Sequence, residues 1–250
     1  MSGHSHWAGI KHKKAIIDAK RGKLWSKLAR HIIMAAKQGG GDPAMNLSLR
    51  YAVDKAKDAN MPKDSIEKAI KRGAGELEGV NYEEVLYEGY GHNGIAIMCE
   101  VLTDNRNRTA GELRHIFDKK GGSLGASGCV GWMFKKKGVF TVEAADVDEE
   151  TLMEIALEAG ADDVELGHDT FEISCAVEAF ERVKKALKEK EIKIKVCELC
   201  QVPDNYVTLN DQEAARKILV LMEALEDHDD VQNVYANFDI PPEILEKIET

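Results

Sequence analysis

The chain has 250 residues, of which 44% are hydrophobic and 31% charged, with a net charge of −10 and five cysteines. This composition describes a folded, water-soluble protein of two or three domains and excludes a disordered chain or a disulfide scaffold. No apolar run approaches the roughly 20 residues of a membrane span, and no secretory leader pattern opens the chain, so a cytoplasmic protein with no membrane partner is expected. The charge is unevenly divided: residues 1–75 carry a net charge of +10 and the remaining residues −20. A basic segment on an acidic body points to a polyanion that meets the first part only.

In chain order, the first 75 residues read as helical. One helix is predicted over Gly22–Lys37, stopped by Gly39-Gly40-Gly41. LSLRYAVDKAKDA forms a second. Pro62 opens a third, in which Asp64 and Glu67 have capping-box spacing. GAGELEGVN reads as a linker. Beyond it, GIAIMCEVL is a strand-like apolar run. Thr109 and Glu112 have the spacing of a second capping box, starting a helix that runs to about Lys120, and CVGWMF reads as another strand. From Gly138 to about Val202 the order is strand, helix, strand, strand, helix, strand, the ferredoxin-like βαββαβ unit. QEAARKILVLMEALEDH then gives a helix and VQNVYANFD a strand.

The expected fold class is α+β: an N-terminal helical domain followed by two α/β sandwich domains, the ferredoxin-like one inserted into the other. The expected boundaries are 1–78 for the basic helical domain, 79–134 plus 205–250 for the discontinuous domain, and 135–204 for the insertion. The related stretches ALEAGADDVEL and ALEDHDDVQNV echo one another across this division. One continuous mixed sheet is the alternative.

On a helical wheel, Lys23, Lys27, Arg30 and Lys37 share one arc, and Lys13 and Lys20 join it by extrapolation. Leu24, Trp25, Leu28, Ile32 and Ala35 lie opposite, and Arg21 breaks the pattern. Asp18 is the only acidic residue before Asp42, whereas solvated helix faces ordinarily mix signs. Such a face suits phosphate backbones, where each cation releases a condensed counterion. His4, Ser5, His6 and Trp7 add groups that can stack on or bond to a nucleotide, and Lys11 and Lys14 add charge. Trp7 is equally well read as a hydrophobic lid on the helical domain.

The segments GHSHWAGIKHKKAIIDAKRGKLWSKL, NMPKDSIEKAIKRGAG, YEGYGHNGIAIM, LTDNRNRTAGELRHIF and GGSLGASGCVGWMF together closely resemble the YebC/PmpR family, in order and over nearly the whole chain. That family includes probable bacterial transcriptional regulators and a mitochondrial translational activator of cytochrome c oxidase. The resemblance implies three domains around an open groove. It implies either cytoplasmic DNA binding or association with ribosomes that relieves stalled peptide synthesis. His6 stands where the family often has Lys, and Cys129 where it usually has Ser.

Other chemistry is less well supported. GGSLGASG lacks the Lys-Ser or Lys-Thr of a phosphate-binding loop and reads as a mobile turn. Arg106 and Arg108 are placed just before a helix start, where free N–H groups attract anions; a surface loop organised by Asp104 and Thr109 is the alternative. The C-x-x-C pair Cys197/Cys200 has no second pair to complete a zinc site, and on a strand its members face opposite ways. Ser2-Gly3-His4 has the groups of an incidental Cu(II) or Ni(II) site. No cofactor, metal or catalytic set is expected, and a small-molecule enzyme using the interdomain groove is the alternative function. A monomer is expected, with DNA, ribosomal RNA or the ribosome as partner.

Overall fold

The computed structural model describes residues 18–79, 81–167 and 169–249. It is an α+β protein with a helical region at its start. Among the described residues, three helices come first: α1 (Asp18–Gly39), α2 (Leu47–Asp58) and α3 (Lys63–Gly73). Helix α1 is continuous through Gly22. It ends where Gly40 adopts φ +86° and its N–H reaches the Ala36 carbonyl at 2.8 Å, the left-handed cap that glycine takes without strain. Asn46 joins α1 to α2. Its Oδ1 accepts from the Leu49 N–H, and its Nδ2 donates to the carbonyls of Ala35 and Gly40 at 2.7 and 2.8 Å. Leu28, Ile32, Leu49, Val53, Ala56 and Ile66 form the core between these helices. Leu24, assigned to the apolar face, is exposed at the open end of α1. The Asp64–Glu67 capping box does not form: Pro62 is the N-cap, and both acids lie inside α3.

The next sheet contains β1 (Glu83–Tyr90), β2 (Ala96–Thr103), β3 (Ser123–Leu124) and β9 (Val231–Ala236), in the order β3-β1-β2-β9. Strand β2 is central and buried on both faces. Ile97, Cys99 and Val101 point toward α4 (Arg106–Lys119) and α7 (Gln212–Glu226), while Ala96 and Met98 point the other way. That two-sided burial is why the run reads as continuously apolar. The second sheet contains β4 (Phe134–Glu143), β5 (Ala161–Leu166), β6 (Thr170–Cys175) and β7 (Ile194–Pro203), antiparallel throughout in the order β5-β6-β4-β7. Helices α5 (Glu149–Glu158) and α6 (Phe180–Glu189) cover one face of it, over a core containing Phe140, Leu152, Ile173 and Leu187. The back of the first sheet meets β4 and β7 through Met98, Val130, Phe134, Val139, Cys200 and Tyr235. A short parallel pair, β8 (Val207–Thr208) with β10 (Phe238–Asp239), and helix α8 (Pro242–Glu249) complete the order.

The expected strand CVGWMF is not one. Gly131–Met133 form a single 3-10 turn, and Phe134 instead begins β4. The first sheet takes β1 in its place, a strand whose mixed sequence EEVLYEGY has only Glu88 and Gly89 buried. The glycine loop before this turn is anchored rather than mobile. The buried Glu88 carboxylate accepts from the N–H groups of Gly128, Val130 and Gly131 at 2.7, 2.7 and 2.6 Å. Burial alone would raise the pKa of Glu88, but these three donors together pull it below the ordinary carboxylate value. Tyr90 and Trp132 both donate to the Cys129 carbonyl, and Trp132 stands 73% exposed.

Candidate nucleic-acid interface

Helix α7 ends at Glu226, and its last carbonyls lack intrahelical donors. The acidic turn Asp227-His228-Asp229-Asp230 follows. The cationic arc of α1 lies against this end of the helix. Lys27 Nζ donates to the Glu226 carbonyl at 2.6 Å, and Lys23 Nζ to the Asp227 carbonyl at 2.9 Å. The Arg30 guanidinium donates to the Asp229 carbonyl, lies 3.5 Å from Asp230 Oδ1, and sits 5.7 Å from the centre of the Tyr82 ring. Cations at the negative end of a helix dipole are stabilised there. Lys37, at the far end of the arc, donates to Asn81 Oδ1 at 3.0 Å. The face predicted to meet a polyanion thus meets an anionic part of its own chain.

Asp230 is the centre of the arrangement. Its Oδ2 accepts from Arg108 and from the Thr109 hydroxyl, both at 2.7 Å, and from Thr103 Oγ1 at 3.2 Å. Burial opposes its charge, yet the bonds from Arg108 and Thr109 and the charge of Arg30 hold its carboxyl below the usual range. Arg108 also pairs with Asp104 at 2.8 Å. Asn105, rather than Thr109, is the N-cap of α4 and accepts from the Arg108 N–H. Arg106 and Arg108 therefore lie inside the first turn and not before it. Thr109 is buried beside Asp230, and Glu112 belongs to the cleft described next. Arg106 is exposed and 4.0 Å from Glu83.

Between the helical domain and the body lies a cleft of about 780 Å³, lined by residues that include Lys23, Arg30, Tyr82, Arg108, His115 and Asp229. Glu112, His228 and Asp230 converge on it closely enough to suggest a metal site. The hydrogen bonds argue otherwise. His228 Nδ1 accepts from the Asp230 N–H at 3.1 Å, which puts the ring proton on Nε2, 2.9 Å from Glu112 Oε2. Nε2 then has no lone pair to give a metal. Cys197 and Cys200 lie on opposite faces of β7, one packed on the ferredoxin-like core and the other in the inter-sheet core.

Of the other predicted contact residues, His4, Ser5, His6, Trp7, Lys11, Lys13 and Lys14 lie outside the described residues. Lys20 and Arg21 are in α1, outside the side chains described. The sequence reading missed a second cationic surface. Lys68, Lys71 and Arg72 are exposed on α3 and, among the described residues, have no carboxylate partner. At 100° per residue they span one arc opposite the buried Ile66 and Ala69, so the wheel that exposed the α1 arc would have shown this one.

Family models for the TACO1/YebC N-terminal domain and for the TACO1/YebC second and third domain match residues 5–76 and 82–238. A probable transcriptional regulatory protein of Halothermothrix orenii is 57% identical over 250 residues, covering 99% of each chain. One from Dictyoglomus turgidum is 57% identical over 249 residues, covering 99% of this chain and all of its own. The crystal structure of a conserved hypothetical protein from Aquifex aeolicus superposes with a TM-score of 0.85 at 52% identity, over 96% of this chain and 99% of that one. With both family models in order along it and relatives this similar over its full length, the chain belongs to the TACO1/YebC family.

Proposed function

We propose that this protein is a non-enzymatic, cytoplasmic regulator of gene expression that binds nucleic acid phosphates through its basic helical domain, and that its physiological partner is structured ribosomal RNA on the ribosome. The observation that carries the reading is the segregation of charge. Residues 1–75 carry +10 and the rest of the chain −20, so the body is repelled by any polyanion the first part engages. The exposed Lys68, Lys71 and Arg72 extend the basic surface from α1 onto α3. The names of the relatives support regulation.

The preference for RNA rests on side-chain chemistry. Lysine dominates the basic helices, and it is a point charge without the rigid fork with which arginine reads base edges. Asn and Gln are absent from α1 before Gln38. Phosphate contacts of this kind position a protein without reading sequence, and the opening GHSHW supplies stacking groups suited to unpaired bases. The cleft is the natural place for a small-molecule reaction, but its ionic groups are largely committed to one another, as in Arg108–Asp230 and His228–Glu112. That pattern suits a joint between domains.

Competition binding at near-physiological salt tests the proposal. Ribosomes or ribosomal RNA should outcompete duplex DNA, and promoter and scrambled duplexes should bind alike. A short promoter duplex that beats both scrambled DNA and ribosomes by about a hundredfold would restore a sequence-reading DNA regulator.

A further inference from the structure

The helical domain and the body share little besides charge. The buried cluster of the helical domain draws its residues from 25–82, and no buried apolar cluster among the described residues spans the cleft. Among the described residues, the contacts that cross include those of Lys23, Lys27 and Arg30 with residues 226–230 and, at a second point, those of Tyr51 with Glu181 and with Lys184, which lies 5.3 Å over its ring. An interface of this composition permits relative motion by default. Several of its members are solvated: the Lys23 and Asp229 side chains are 50% and 67% exposed, with their charges 3.9 Å apart. Exposed pairs of that kind contribute about 0–1 kcal/mol and weaken with salt.

The body's half of the contact is rigid. Asp230 is held by Arg108, Thr109 and Thr103, and the preceding carbonyls are set by the end of α7. Residues 226–230 thereby present the carbonyls of Glu226, Asp227 and Asp229 and the carboxylates of Asp229 and Asp230 to three cations of one helix face. A phosphate backbone would offer that face the same thing: closely spaced anionic oxygens.

We propose that Glu226–Asp230 is an internal stand-in for phosphate, a latch that holds the cationic arc of α1 against the body until a polyanion displaces it. The proposal rests on the nucleic-acid reading above and adds regulation to it. The latched chain presents Lys68, Lys71 and Arg72 first. Lys27 and Arg30 become fully available only as the domains part, and Lys23, already half-exposed, is freed of its partners then, so binding and opening are one coupled event. An isolated phosphate cannot open the latch. An RNA that neutralises several cations at once can, because each exchanged contact releases a counterion.

The test uses the full chain. Asp227→Asn/Asp229→Asn removes two negative charges from the latch, the Lys23–Asp229 ion pair among them, and leaves its carbonyls and Asp230 in place. Glu154→Gln/Glu158→Gln removes the same charge from exposed positions on α5 and serves as the control. Affinity for a 30-nucleotide RNA hairpin is read by fluorescence anisotropy, and domain opening by small-angle X-ray scattering with and without the hairpin. The latch predicts that the Asp227/Asp229 variant binds about fivefold more tightly than the control variant, and that it has a larger radius of gyration before RNA is added. The wild type should expand to the same value on binding. Equal affinity of the two variants, or a wild type that stays compact when saturated with hairpin, overturns the latch and leaves the nucleic-acid reading standing. A wild type that binds neither the hairpin nor ribosomes overturns that reading, and the latch with it.

Discussion

His31 is half-buried on α1, near Lys27 and Lys55. Its imidazole is pushed down to about 4 by loss of solvent and then by the charges of Lys55 and Lys27. The unfolded chain takes up this proton near pH 6.5 and the folded chain only near pH 4. Between those values the unfolded state binds more protons, so stability falls as the pH drops through the window, by about 3 kcal/mol when complete. Denaturant titrations at pH 7 and pH 4.5 should show His31→Gln losing about 2 kcal/mol less than wild type over that interval. Equal losses would mean that the ring is solvated. Glu88 shows the opposite case, a buried charge held by three N–H donors. Glu88→Ala leaves those donors without their acceptor and should cost about 2–4 kcal/mol. Amide exchange at Gly128, Val130 and Gly131 should accelerate with it, and unchanged exchange there would show that the loop is held by something else.

At the level of elements, α1 and α3 present cations in different circumstances. Lys23, Lys27 and Arg30 of α1 are engaged by the end of α7, whereas Lys68, Lys71 and Arg72 of α3 face solvent. Replacing the α3 trio with Glu should lower RNA affinity at least about tenfold and reduce the slope of log K against log salt by about 2–3, since three phosphate contacts are lost. The circular dichroism spectrum should not change, because the trio lies opposite the buried face. A variant with an unaltered salt slope would place the RNA elsewhere. The α1 arc was legible because its spacing is helical and its sign nearly uniform. Strand β1 was not, because its outer residues are charged and solvated and only its β2 partner makes it a strand.

For the molecule as a whole, the four strands of the second sheet all come from residues 134–203, while β9 returns to the first sheet from beyond them. We propose that residues 135–204 fold as an independent unit inserted into the other α/β domain. Expressed alone, this fragment should melt cooperatively around its own core of Phe140, Leu152, Ile173 and Leu187. A non-cooperative or unfolded fragment would mean that the inter-sheet contacts of Phe134, Val139 and Cys200 are required to complete it.

Local periodicity determined most helices and the βαββαβ order, composition the division of charge, and sequence motifs the resemblance to a family, all of which can be read without knowing which distant residues meet. The opposed faces of Cys197 and Cys200 also follow from strand alternation alone. Only the tertiary structure decided what the cations touch. Lys23, Lys27 and Arg30 lie about 200 residues from their partners, and charge has no periodicity that names its counterpart across that distance. Thr109 was misplaced as a cap for the same reason: its hydroxyl is fixed by Asp230, 121 residues away. A local pattern shows which face of an element is polar, and the fold then determines whether that face meets water, a partner or another part of the chain.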